Sequence, residues 1–242
     1  MNIWAASRGG MMNSTAMDVQ LGIIWYLIFI LSTAAHEAAH AFTAMKFGDR
    51  TAWLGGQVTL NPLPHMQREP FGMIVVPILS YALGGWMIGW ASAPYDLYWA
   101  AANPKKAAWM GLAGPAANLV LMAIASVLIR LGLLNGFFSI PESLSFAQMV
   151  IGTQPGLSQG LAVGASILFT LNLLLLVFNL IPVPPLDGTA SLELILSGQT
   201  LEKYRALVNH PQMRMFGILI AWYLIDFIFP PIYFACIKLI YS

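Results

Sequence analysis

Five apolar stretches, each close to the length that crosses a lipid bilayer, constrain this chain more than anything else in it. They cover residues 21–44, 71–93, 107–132, 160–181 and 215–241. A helix needs about 20 apolar residues to span the hydrocarbon core, and backbone inside lipid must satisfy its own hydrogen bonds. Only 9% of the 242 residues are charged and 58% are hydrophobic, against about 25% charged in a soluble domain. We therefore expect an all-α polytopic membrane protein with about 4–6 transmembrane helices. No long polar linker, low-complexity tract or repeat divides it, so residues 1–242 read as a single membrane-embedded domain.

What is scarce also narrows the function. A net charge of +1 gives no basic field for nucleic acid. The single cysteine, Cys236, excludes an intramolecular disulfide framework and a cysteine-rich zinc site. Any metal must be held by His, Asp or Glu. The apolar run over residues 21–31 has the look of a signal-peptide core, but an Ala-rich stretch carrying His and Glu follows it directly, so the first helix is read as retained.

Between the first two apolar stretches, residues 54–60 (Leu-Gly-Gly-Gln-Val-Thr-Leu) read as a short β-strand stopped by Asn61-Pro62-Leu63-Pro64. Residues 133–159 read as a loop with room for a short interfacial helix. Residues 201–208 predict a surface helix, and Pro230-Pro231 predict a break in the last apolar stretch.

The strongest chemical signal is His36-Glu37-Ala38-Ala39-His40. On a helix, residues i and i+4 share a face, so both imidazoles reach one metal, and the adjacent Glu can take a proton from water there. Zinc lowers the pKa of a bound water to about 7, which supplies a nucleophile at neutral pH. Three ionisable groups on one turn of a membrane helix are costly unless paired or bound. Catalytic zinc takes three protein ligands and leaves a fourth position open. For the third ligand two carboxylates lie near apolar segments: Asp226, inside the last one, and Asp187, just after the fourth. Asp187 follows Pro182, Pro184 and Pro185, which break the helix and free the chain to bend inward.

His36-Glu-Ala-Ala-His40 together with Asn179 and Leu186-Asp187-Gly188 resembles the site-2 protease family of intramembrane zinc metalloproteases, and Gly114-Pro115-Ala116-Ala117-Asn118 is similar to that family's G-P-x-x-N motif. The resemblance implies one Zn2+ held by His36, His40 and Asp187, with Glu37 as general base. It implies a catalytic supporting role for Asn179 and a place for Asn118 near the substrate. It also implies that the strand over residues 54–60, with Gly56, Val58 and Asn61, pairs with an extended substrate. The implied substrate is a single-span membrane protein within the lipid bilayer. No room is seen for the PDZ or CBS domains that some members carry. His65 is read as a structural or interfacial residue.

A metal site also constrains topology. His36 and His40 fall late in the first stretch and Asp187 falls after the fourth, so both ends must lie on one side. Full crossing by the first four stretches forbids this. The expected remedy is a re-entrant second stretch, broken at Pro77, Gly84 and Gly85. One side then holds Lys46, Arg50, Arg68, Lys105, Lys106, Lys203, Arg205 and Arg214, and the other only Arg8, Arg130 and Lys238. Positive charge marks the cytoplasmic side, which predicts a site nearer the cytoplasmic face and the N-terminus outside; the compactness of the chain suggests a prokaryotic plasma membrane. A metal-ion transporter would also use intramembrane His and Asp, but has no need of a Glu between two ligands. A non-catalytic scaffold has no need to keep all four residues.

Overall fold

The computed structural model describes residues 15–242, and the side chains of residues 15–18 and of Arg214 lie outside the described set. The sides assigned above to Arg8 and Arg214 therefore concern groups outside the described residues. Four described helices are long and apolar enough to cross a membrane: α1 (Thr15–Phe47), α6 (Pro104–Leu134), α7 (Leu157–Asn179) and α10 (Pro211–Tyr241). The protein is a multi-pass, all-α membrane protein.

The second apolar stretch takes a different course. A π-helical turn (Phe71–Val75) runs into α4 (Val76–Gly84). Phe71–Gly84 is about 21 Å long at 1.5 Å per residue, short of the roughly 30 Å hydrocarbon core. Gly85, at φ +75°, ends the helix in the left-handed region that glycine tolerates best. The chain then doubles back, and the Trp90 N–H donates to the Gly72 carbonyl at 3.1 Å. A side chain at Gly89 would meet Gly72 O at 2.2 Å. Residue 90 thus lies beside residue 72, and the segment enters and returns as topology requires before α5 (Leu97–Ala102) leads into α6.

With four crossings, the C-terminal end of α1, the start of α6, the end of α7 and the start of α10 share one end of the bundle. At the other end, Arg130 Nη1 donates to the Ile240 carbonyl at 3.1 Å and so caps the last turn of α10. A two-stranded antiparallel sheet, β1 (Phe138–Ser139) with β2 (Ile151–Gly152), closes this end. The Tyr241 hydroxyl bonds the Met149 carbonyl beside it.

Helices α1, α6 and α7 pack on one another, with α10 against α7. Trp25, Phe29, Ile129, Phe169, Phe229 and Tyr233 fill the interior. Large apolar side chains such as Leu27, Val127, Tyr223 and Leu239 face outward, as lipid requires.

Three local expectations are corrected. Residues 54–60 form no strand. The helical turn α2 (Thr51–Leu54) is closed by Gly55 and by Gly56 at φ +71°, and the Gln57 N–H returns to Ala52 O. Asn61 then caps α3 (Pro62–Arg68) by accepting from the Leu63 N–H. The bonds an edge strand would offer are spent on turns and a cap. No helix forms in residues 135–156, where the short sheet stands instead. Lastly, α10 runs unbroken through Pro230 and Pro231. Each proline removes one i to i−4 bond, but Phe229 and Tyr233 are anchored against Phe146 across this turn, which holds the helix together.

Candidate metal centre

His36 and His40 lie eleven and seven residues before the end of α1 and are buried. Their Nε2 atoms are 3.0 Å apart. Each ring is held from behind through Nδ1. His40 Nδ1 faces the Met110 carbonyl of α6 at 2.7 Å. A carbonyl only accepts, so Nδ1 carries the proton and Nε2 presents a lone pair. His36 Nδ1 faces Asn118 Oδ1 of α6 at 2.6 Å.

Asp187 is delivered by an irregular loop. Pro182 is in the first residues past α7, and Pro184 and Pro185 follow, joined by a cis bond. The loop folds back on itself so closely that a side chain at Gly188 would meet Leu180 O at 2.4 Å. It then enters the short α8 (Gly188–Ser191). Gly217 of α10 leaves space for the Pro184 carbonyl, which would lie 1.8 Å from any Cβ placed there. From outside, α9 (Gly198–Val208) clamps the loop: the Tyr204 hydroxyl donates to Thr189 O at 2.8 Å, and Arg205 pairs with Glu193 at 2.6 Å. Asp187 Oδ2 thereby comes within 3.0 Å of His36 Nε2 and 3.3 Å of His40 Nε2.

Gly114 of α6 makes this convergence possible. A Cβ there would lie 2.3 Å from His40 Nε2 and 2.4 Å from His36 Nε2. One turn earlier, a Cβ at Gly111 would be 3.3 Å from the Asp187 carbonyl. Small residues that admit a close approach of neighbouring chains are a recurrent device in membrane bundles.

The donors fit a metal ion. Two imidazole lone pairs and a carboxylate meeting at 3.0–3.3 Å repel one another unless a cation or a proton lies between them. The separations are close to the edge, about 3.3 Å, of a tetrahedron with ligand bonds of about 2.0 Å, and two His with one carboxylate is a known catalytic zinc set. Burial alone would raise the Asp187 carboxyl pKa, but positive charge between the two imidazoles and the carboxylate, here a ring proton, holds it well below the usual carboxylate range.

A cavity of about 990 Å³ opens from the cluster toward the loop end of the bundle. Glu37, His40 and Asp187 line it together with Ala91, Ser92, Ala93, Tyr95, Glu193 and Arg205. Glu37 is 6% exposed and sits on the same turn as the two imidazoles. A metal-binding triad, a neighbouring carboxylate and a cavity that reaches both are the components of metal-assisted hydrolysis.

The model of peptidase family M50 matches residues 24–223. The chain belongs to this family, the site-2 proteases. It is 34% identical over 176 residues to the Bacillus subtilis (strain 168) protein named "Putative zinc metalloprotease YwhC", covering 72% of this chain and 70% of that one. It is 32% identical over 205 residues to "Putative zinc metalloprotease Rip2" of Mycolicibacterium smegmatis, covering 82% and 70%. No solved structure matches at a comparable level. The chain is accordingly a zinc metalloendopeptidase embedded in the membrane.

The remaining expected residues of this M50 peptidase fall elsewhere. Asn118 is fully buried, and both ends of its amide are used inside the bundle, toward His36 and Asn172. That is a place behind the metal centre. Asn179 Nδ2 donates to Leu175 O of its own helix at 3.0 Å. Gly56 and Asn61 serve in the turn and the helix cap, with Val58 between them, and none of the three lines the cavity. His65 is fully buried and bonds the Thr59 carbonyl through Nε2 at 3.0 Å, a structural role. Asp226 lies on the exposed side of α10, outside the His36–His40–Asp187 group. Sequence reading passed over Met110 and Asn172. A backbone carbonyl leaves no residue signature, and one Asn in an apolar helix signals only that it needs partners.

Proposed function

We propose that this M50 peptidase hydrolyses peptide bonds of membrane-anchored, single-span proteins at the loop end of its bundle. The observation that carries this reading is the convergence of ligand atoms from buried His36 and His40 and half-buried Asp187 beside Glu37, on a cavity that all but His36 line. His36, His40 and Asp187 would hold the zinc, which when bound supplies Lewis acidity toward a carbonyl oxygen and acidifies water.

The chain's own groups do the rest. Glu37 takes a proton from the attacking water and returns it to the leaving amine. The cavity admits water to a depth where lipid would exclude it. A substrate helix hides its peptide bonds, so it must be extended to reach Glu37. The segment over residues 85–96 has no regular structure, and Ala91–Ala93 line the cavity. This stretch, not residues 54–60, stands where an extended substrate would lie. For Asn179 to steady developing charge on the carbonyl, it must first leave Leu175 O. The excess of Lys and Arg at the loop end supports a reading in which this end faces the cytoplasm, and the membrane would be a prokaryotic plasma membrane. Cysteine accessibility that found residue 100 on the outer side would overturn that orientation.

The test is cleavage of a model single-span substrate by the purified full chain in detergent, with zinc content measured alongside. Wild type should cleave, chelation should stop cleavage, and Glu37→Gln should retain zinc without cleaving. Cleavage retained in Glu37→Gln would sink the mechanism.

A further inference from the structure

Behind His36, away from the cavity, a chain of buried polar groups links the three packed helices. Asn118 Nδ2 of α6 donates to Asn172 Oδ1 of α7 at 2.9 Å. Asn172 Nδ2 donates to Ser32 Oγ of α1 at 2.9 Å and to the Leu168 carbonyl at 2.8 Å. Ser32, Asn118 and Asn172 are each 0% exposed. Unsatisfied polar groups at such depth are expensive, so each amide is committed to these partners.

The direction of every bond in the chain follows from one atom that cannot turn. The Leu168 carbonyl can only accept, so the Asn172 atom facing it must be the NH2. Asn172 then presents its oxygen to Asn118. Asn118 must answer with its NH2, and its own oxygen is left facing His36. His36 must therefore carry its proton on Nδ1, which leaves the Nε2 lone pair directed at Asp187 and His40. Metal-bound imidazoles take their tautomer from the partner of the other nitrogen.

We propose that Asn172 is a positioning residue for the metal centre: acting through Asn118, it selects the His36 tautomer that can bind zinc. This rests on the metal reading given above. Were the Asn172 anchor removed, the Asn118 amide could turn over and offer its NH2 to Nδ1, moving the ring proton to Nε2 and blocking a ligand. Ser32 is the dispensable end of the chain, because Leu168 O alone holds Asn172 in the same sense.

The proposal is tested on the full chain in detergent by zinc affinity, read by chelator competition, and by 15N spectra of the imidazoles, which are few because the chain has four histidines. In the zinc-loaded wild type, His36 should show a protonated Nδ1 and a coordinated Nε2. Coordination through Nδ1 would overturn the proposal without any variant. Asn172→Leu should lower zinc affinity about 10- to 100-fold, the range for outer partners of a ligand, while Ser32→Ala should leave it nearly unchanged. Adding Asn118→Asp to Asn172→Leu should restore most of the affinity, because a carboxylate accepts from Nδ1 whichever way it turns. Unchanged affinity in Asn172→Leu, or no recovery in a folded double variant, would overturn the relay alone. A folded wild type that binds no zinc would overturn the metal reading and the relay with it.

Discussion

The metal cluster is assembled from two regions built on opposite principles. His36 and His40 belong to a 33-residue helix, and their rings are fixed from behind by Asn118 and Met110. Asp187 belongs to a loop with no regular hydrogen-bond ladder, held by close contacts at Gly188 and Gly217 and by the Tyr204 clamp. The helix obtains precision from its own repeat, since i and i+4 share a face. The loop obtains it from neighbours that leave it nowhere else to go. Damage to the helical half should therefore reach the metal only through the partners that hold the two rings and leave α1 in place, whereas damage to the loop half should shift the backbone that carries Asp187.

The largest effect tests the chemistry that both halves serve. Glu37→Gln keeps the volume and removes the base, and should lower the cleavage rate about 10²- to 10⁴-fold with zinc still bound. His36→Ala and Asp187→Ala remove one ligand each and should both lose zinc along with activity. If Asp187→Ala kept zinc at wild-type affinity, the loop would not belong to the site and the comparison would collapse.

Gly114→Ala tests the helical half from the side. The added Cβ would lie within 2.4 Å of both Nε2 atoms, so α6 must retreat or a ring must turn. Zinc affinity should fall about as far as for loss of an outer partner, 10- to 100-fold, with the helix itself intact by circular dichroism. Gly188→Ala is the counterpart in the loop. Its Cβ meets the backbone of Leu180 and Ile181, which cannot turn away as a side chain can. The whole loop must shift and Asp187 with it, so zinc loss should be accompanied by a lower unfolding temperature. Equal thermal stability in the two alanine variants would erase the distinction drawn between the halves.

The same division explains what could be read from the sequence. The two-His helix and its Glu needed only the 3.6-residue repeat, and the re-entrant course of residues 71–93 followed from the need to bring His36, His40 and Asp187 to one side, with Pro77, Gly84 and Gly85 as the breaks. Asp187 could be placed only by family resemblance, because no local pattern says that a proline-rich exit returns to a helix 147 residues earlier in the chain. The expected strand over residues 54–60 failed for a related reason. Leu-Gly-Gly-Gln-Val-Thr-Leu alternates well enough, but Gly56 takes a left-handed turn and the Gln57 N–H closes on Ala52. Alternation marks a strand only when a partner edge is available, and that is a tertiary fact. Asn118 was legible as a motif residue, yet its role depends on Asn172, 54 positions later, and no spacing rule links the two.

The smallest predicted effect tests whether the loop half is held from a distance. Tyr204 never approaches the metal ligands, but its hydroxyl bonds the carbonyl of Thr189, two residues beyond Asp187. Tyr204→Phe removes that bond and should cost about 1 kcal/mol of stability, the usual net value of one hydrogen bond, with a small loss of zinc affinity. Its pH dependence identifies the cause. Burial, with Glu193 nearby, pushes the Tyr204 pKa from 10.0 up to about 12, outweighing the Thr189 side chain, which lowers it. The folded protein thus favours the protonated phenol. The stability this contributes is fully present below pH 10 and is lost as pH rises through about 12. The advantage of wild type over Tyr204→Phe should therefore stay constant up to pH 10 and vanish above it, measured by thermal unfolding in detergent. An advantage that persists beyond pH 12 would assign it to ring packing and would show that the loop is held by its glycine contacts alone.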